Sequence, residues 1–395
     1  MSPSRVRWVV GVSAALVILV VIARPFLLGL SFVVRAADLH GAVRRAADLD
    51  AGQWRERELT IDTPRGSLHG RLYEPGRAVQ RAVLLTSGLH PAGIDEPRLV
   101  GLARQLAASG LAVLTPDVPE LSHFEITPAI TDDIEAAGGW LATHISGRRG
   151  PQVGLLGISF SGGLSVVAAG RPSLRERTAY VLSFGGHDDL PRVLRYLCTG
   201  VEPPPPRQMT LNREPASAVA RPPHDYGVAV MLLGVADRVV PADQVDALRT
   251  AIRRYLWASH LDRVDKPRAE QEFASLRELA ASMPQPSSTL LTYVNTRDVV
   301  HLGARLLPFV NAYGAAPPLS PSRSPKPSAP VFLLHGTDDN VIPAVESEYL
   351  ADDLRGHAPV RLLLSGLISH AEADRPMRAG DVIALANFWA DLLSR

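Results

Sequence analysis

The sequence predicts an α/β protein: a mostly parallel sheet with helices on both faces, an inserted helical lid and an N-terminal transmembrane helix. Three observations predict it. From Arg81 onward, short apolar runs of strand length alternate with stretches of helical periodicity, the pattern of parallel strands joined by crossover helices. Between Leu190 and Ala316 that rhythm gives way to long helix-like stretches. Near the start, Trp8 to Ala23 carries no charge.

The 395 residues suit one large domain with insertions. With 46% hydrophobic and 21% charged residues, the chain can bury a sizeable core and is not broadly disordered. Lys and Arg number 41 against 40 Asp and Glu, and they are scattered. A nucleic-acid partner needs a concentrated basic face, so none is expected. The single cysteine, Cys198, excludes an internal disulfide and is read as a small core or lid residue. No CxxC or HExxH spacing occurs, so no structural zinc is expected.

Residues 1–34 read as a membrane anchor. Arg5 and Arg7 precede the apolar run, Arg24 and Pro25 interrupt it, and Phe26 to Val34 resumes it. Sixteen residues at about 1.5 Å each span roughly 24 Å, short of a hydrocarbon core of about 30 Å. The second stretch is therefore expected to extend the span, with Arg24 snorkelling to the interface. The flanking charges lean towards the amino terminus inside and the remainder on the extracytoplasmic side. A cleaved signal peptide, giving a secreted protein, is the alternative; no small-x-small site follows the run, and Pro25 stands where cleavage would fall.

Residues 35–56, in which RAADL occurs twice, suit a juxtamembrane helix. The first part of the core spans 57–189. Trp54 to Asp62 and Ser67 to Tyr73 form an antiparallel pair across Pro64, Arg65 and Gly66, the edge of the sheet. Strands follow at Ala82 to Thr86, Leu111 to Thr115, Val153 to Gly157 and Tyr180 to Phe184, with helices at Pro97 to Ser109 and Thr131 to Ile145. Residues 190–316 are the lid, and 317–330, with six prolines, a linker. The second part of the core, 331–395, supplies strands at Val331 to His335 and Val360 to Leu364 and helices at Pro343 to Leu354 and Gly380 to Leu393.

The chemistry concentrates in three segments. In Val153 to Gly163 an apolar strand runs through GISFSGG into a helix. A serine on so tight a turn has crowded neighbours and needs small residues two positions to either side, as Gly157 and Ser161 are for Ser159. Ser159 is the expected nucleophile; Ser161, flanked by Ser159 and Gly163, is the alternative register. A serine hydroxyl needs a base oriented by a carboxylate. The segment Pro330 to Pro343 supplies the acid, Asp339, in HGTDDNVIP, with Asp338 as a turn former. His370, in the loop after the last strand, is the base. Asp237, in LGVADRVVP, mimics that spacing but lacks a preceding HG and a following histidine loop. The oxyanion donors are expected to be the N–H groups of Phe160 and of Leu89 in Thr86 to Pro91. His90 either lines the site or lies on the surface. His187 and Asp188 either face the pocket or cap the first lid helix.

With GISFSGG, HGTDDNVIP and the His370 loop in this order, the chain from about Arg57 onward resembles the α/β-hydrolase superfamily, in particular its dienelactone hydrolase and prolyl oligopeptidase-like branch. The resemblance implies a serine hydrolase that cleaves an ester, thioester or amide through an acyl-serine, with a small acyl ester or lipid-like molecule as substrate and neither metal nor organic cofactor. Dienelactone hydrolases carry cysteine at the elbow where this chain has Ser159, so their substrate does not transfer. A non-catalytic membrane-tethered scaffold and an acyltransferase using the same triad are the alternatives.

Overall fold

Runs such as RAVLLT and VFLLHG are apolar at nearly every position, and strands of this kind are stable only with both faces covered. They occupy the centre of the computed structural model, which describes residues 23–206, 219–368 and 379–395. In chain order the strands are β1 (Trp54–Thr63), β2 (Gly66–Pro75), β3 (Arg81–Thr86), β4 (Leu111–Pro116), β5 (Val153–Ile158), β6 (Thr178–Phe184), β7 (Val201–Glu202), β8 (Val219–Ala220), β9 (Val331–Gly336) and β10 (Val360–Ser365). β7 and β8 make a separate short antiparallel ribbon. The other eight form one sheet in the order β1-β2-β4-β3-β5-β6-β9-β10. The β1–β2 hairpin runs antiparallel and joins β4 antiparallel; every pair from β4 to β10 is parallel.

Successive side chains of each strand enter opposite cores. Leu155, Val181 and Leu333 join Ile134 of helix Ala129–His144 and Leu164 of helix Phe160–Gly170. Leu156, Leu182 and Phe332 join Leu106 of helix Pro97–Ala108 and Phe388 of helix Ala379–Ser394. Between β6 and β9 the chain leaves the sheet through helices Leu190–Thr199, Asp225–Val239, Ala242–Val264, Lys266–Ser282, Ser287–Asn295, Val299–Leu306 and Val310–Gly314. Their inner residues, among them Leu194, Val230 and Leu248, extend the first of the two cores. The proline-rich return is packed down: Leu319 and Ser320 are buried, Thr131 Oγ1 donates to Pro318 O (2.8 Å), and Ser322 N–H donates to Asp188 O (3.1 Å).

The amino-terminal expectation is corrected in part. Residues 1–22, nearly all of the apolar run from Trp8, lie outside the described residues. Phe26 to Val34 does not extend a membrane span. It belongs to a helix over 23–36 that packs on helix Ala379–Ser394, with the Phe32 ring 4.3 Å from that of Trp389 and wholly buried. A side chain at Gly29 would collide with the Ala386 carbonyl, so the two backbones touch. Arg35, expected to flank a span, is buried against Asp50, Ala47 O and Gln105. The expected juxtamembrane helix is short, Ala42–Ala47 with a 3-10 turn at Asp48–Asp50. Among the described residues no helix is long and apolar enough to cross a membrane.

If this docking is part of the core, Phe32→Ala should lower unfolding free energy by about 3–5 kcal/mol in urea titrations. A loss below about 1 kcal/mol, the scale of ordinary surface substitutions, would mean that the helix adds little to the fold.

Candidate active site

β5 ends at Ile158 and the next helix begins at Phe160, leaving Ser159 alone at the turn. Its backbone sits at φ 55° and ψ −127°, a region that residues with a side chain rarely enter. The turn is held from both sides: Ser159 N–H donates to Phe184 O (2.6 Å), and Ser159 O accepts from Gly162 N–H (2.8 Å). Gly157 is required two residues earlier because a Cβ there would collide with the Ser161 carbonyl. The two candidate serines thus differ sharply. Ser161 is buried in the first helical turn with its hydroxyl donated to Ser87 O. Ser159 sits at the apex and lines a cavity.

The loop after β3 crosses this apex. A Cβ built on Gly88 would lie 3.1 Å from Ser159 Cβ and 3.8 Å from its Oγ, and Leu89 lines the same cavity. Phe160 opens its helix, so its N–H has no acceptor within that helix.

Asp339 stands in the turn after β9, with its carboxylate 1% exposed. Its Oδ1 accepts from the N–H groups of Val341 (2.9 Å) and Ile342 (3.0 Å), and Oδ2 lies 3.4 Å from His335 Nε2. His335 is a buried fixture: Nε2–H donates to Ile342 O (2.9 Å) and Nδ1 accepts the Ser347 hydroxyl (2.7 Å). Asp338 faces outward. His370 lies outside the described residues; β10 ends beside the Asp339 turn, where Thr337 N–H donates to Ser365 O (3.2 Å).

The remaining candidates separate cleanly. Asp237 is on the exposed side of helix Asp225–Val239, paired with Arg249 at 3.0 Å. His90 turns away from the cavity: its Nδ1 accepts Ala92 N–H (3.2 Å) and its ring meets His260 edge-on at 4.8 Å. Burial, with the neighbouring His260, holds His90 down at about 4 despite Glu96 nearby, so it is neutral at pH 7. Cys198 is buried 3.4 Å from Met231 Sδ, and burial pushes its thiol up to about 12. No cluster of metal-ligating side chains occurs among the described residues.

His187 does border the cavity. Its ring stacks face to face on Phe160 (5.1 Å, 4°), Nε2–H donates to Leu319 O (2.7 Å), and burial pushes its pKa down. Asp188 instead joins a buried charge cluster. Arg192 donates to Asp188 (3.0 Å) and twice to Glu346 (2.6 and 2.9 Å), while Glu346 also accepts the N–H groups of Asp188 and Asp189. Two carboxylates share one guanidinium. Burial outweighs the Arg192 contact and raises Asp188 to about 7.

The cavity above Ser159 measures about 60 Å³ and is mostly apolar, walled by Leu89, Phe160, Leu190, Leu194, Tyr226 and Val341 among others. Tyr226 had no signal in the sequence, and Val341 and Ile342 carried one only as the tail of HGTDDNVIP.

A hairpin edge, six parallel strands in this order and a serine at positive φ after the fifth strand decide the architecture. The chain has the α/β-hydrolase fold. No protein-family model matches it, and no curated protein matches its sequence. Solved structures with some likeness include an esterase of Pyrobaculum calidifontis at 17% identity, covering 86% of this chain and 85% of that one with a TM-score of 0.44. A thermophilic carboxylesterase cloned from a metagenomic library stands at 15%, 86%, 88% and 0.45. Brefeldin A esterase, a bacterial homologue of human hormone-sensitive lipase, stands at 13%, 94%, 86% and 0.42. At identities and scores this low, the fold assignment rests on the strand order and the elbow, not on these likenesses.

The Asp188 cluster fixes a pH dependence. An acid raised from about 3.9 unfolded to about 7 folded favours the folded state below pH 4, and that contribution is lost as pH rises through 7. Asp188→Asn should therefore gain thermal midpoint relative to the parent between pH 5 and pH 8. A difference constant across that range would show that Asp188 does not titrate there.

Proposed function

We propose that the chain is a serine hydrolase that cleaves a carboxylic ester with a short, apolar acyl group through an acyl-Ser159 intermediate. One observation carries the reading: Ser159 stands at positive φ on a strand-to-helix elbow, beneath the Gly88 loop and at the floor of an apolar cavity. In the proposed mechanism His370 takes the Ser159 proton as Oγ attacks the acyl carbon, and Asp339 orients the imidazole. The N–H groups of Phe160 and Leu89 receive the oxyanion, aided at Phe160 by the positive end of its helix. His370 then protonates the departing alcohol, and water repeats the sequence to release the acid. The two backbone bonds on Asp339 Oδ1 hold its carboxyl group in one orientation, as an orienting acid requires. A cavity of about 60 Å³ is far below the several hundred Å³ of sites for drug-sized ligands, which favours a short acyl group. The uncharged residues 8–23 support a membrane anchor preceding the enzyme; without Phe26 to Val34 the run of roughly 24 Å is accommodated by local thinning of the bilayer.

Fluorophosphonate labelling tests the nucleophile. Ser159→Ala should abolish labelling and Ser161→Ala should retain it, with the labelled parent staying in the membrane pellet after an alkaline carbonate wash. Reversal of the two variants would transfer the role to Ser161, and labelled protein in the wash would remove the anchor. Nitrophenyl esters test the acyl group: acetyl and butyryl should turn over at least about 10-fold faster than dodecanoyl, the scale on which pocket fit discriminates methylenes. Leu194→Ala should narrow that gap. Faster turnover of dodecanoyl by the parent would sink the short-acyl assignment.

A further inference from the structure

One short stretch of the lid touches both halves of the proposed machinery. Arg221 Nη1–H donates to Thr337 O (3.2 Å), and His224 N–H donates to Asn340 O (2.9 Å), so residues 221–224 bind the turn that contains Asp339. Two residues on, the Tyr226 hydroxyl donates to Leu89 O at 2.6 Å, across 137 positions of sequence. Tyr226 is also a wall of the cavity and meets Phe124 edge-on at 5.8 Å.

The Leu89 carbonyl belongs to the peptide group whose N–H is that of His90, and that N–H donates to Leu121 O (3.2 Å). The peptide that follows Leu89 is therefore clamped on both edges, by the lid on one side and the core on the other. With both edges held it cannot rotate, and the Leu89 Cα, through which the neighbouring peptide that carries the Leu89 N–H is attached, is held in place with it. Without the phenol, the peptide is free to turn about its single remaining bond and a half-buried carbonyl loses its donor. We infer that Tyr226 is a positioning residue: its hydroxyl, delivered by the lid, holds the oxyanion loop in the geometry that receives developing negative charge. This rests on the hydrolase reading above. It makes the lid part of the catalytic arrangement rather than only a cover, since the helix that walls the acyl cavity also sets the oxyanion donor. Burial pushes the Tyr226 phenol up, so it stays protonated and donates throughout the neutral and mildly alkaline range.

Tyr226→Phe removes the hydroxyl and leaves the ring. With active sites counted by fluorophosphonate titration of the full chain, kcat per titrated site on a butyryl ester should fall about 10- to 100-fold, with KM within about twofold. The loss should be constant from pH 6 to 9. A trifluoromethyl ketone, which forms a tetrahedral adduct, should bind more weakly by a similar factor, because the adduct uses the same donors. Counting only titratable sites removes misfolded protein from the comparison. Unchanged kcat per site and unchanged ketone affinity would overturn the inference, whatever happens to thermal stability. Ser159→Ala run alongside separates the two readings. If it still takes the probe, the hydrolase assignment at Ser159 fails and this inference with it; if it does not, an unaffected Tyr226→Phe overturns the positioning role alone.

Discussion

The helix after β5 starts so close to the strand that nothing larger than hydrogen fits on the Cα of Gly157, and this closeness holds Ser159 at its positive φ. Such a conformation costs on the order of 1–3 kcal/mol and survives only where the surroundings over-determine it. Here they do. Every residue of helix Phe160–Gly170 is buried, and Leu164, Val166 and Val167 alone remove enough apolar surface from water to outweigh the strain, at about 1.5–3 kcal/mol for each side chain. The same insertion drives Ser161 inward onto Ser87 O and brings the β3 loop over Ser159. The position of the loop and the strain at the serine have one cause.

Around that elbow, buried polar groups are arranged to hold loops rather than to react. His335 and His187 each donate Nε2–H to a backbone carbonyl, of Ile342 and Leu319 respectively. Glu346 gathers the N–H groups of Asp188 and Asp189 together with Arg192, tying helix Leu190–Thr199 to the helix that follows the Asp339 turn. The Tyr349 ring lies 3.8 Å from the Arg192 guanidinium and closes the cluster. The helical excursion is therefore fastened to the sheet at the edge where β6 and β9 end, and the cavity lies between them.

Much of this was legible in the sequence because strands buried on both faces leave continuous apolar runs, and because VFLLHG followed by TDDNVIP encodes a strand and the turn that leads to the next helix. The register at the elbow was only partly legible. Ser159 and Ser161 both have small neighbours, and only the backbone angle at Ser159 and the hydrogen bond at Ser161 tell them apart. The role of Phe26 to Val34 was not legible, since an apolar stretch reads the same whether lipid or Trp389 covers it. The hydrogen-bond partners that hold His187 and Tyr226 were beyond reach for a third reason. These partners, Leu319 and Leu89, are more than a hundred positions away, and no local pattern records such a contact.

The pairing of the helix over 23–36 with helix Ala379–Ser394 bears on how the chain is made. Phe32 and Trp389 are separated by nearly the whole sequence, yet each covers the other. During synthesis the early helix emerges with its apolar side uncovered, and its partner follows only after every strand of the sheet has been made. Until then Phe32 lacks the cover that Trp389 gives it. The second core is closed by helix Ala379–Ser394, which completes a surface begun by the helix over 23–36.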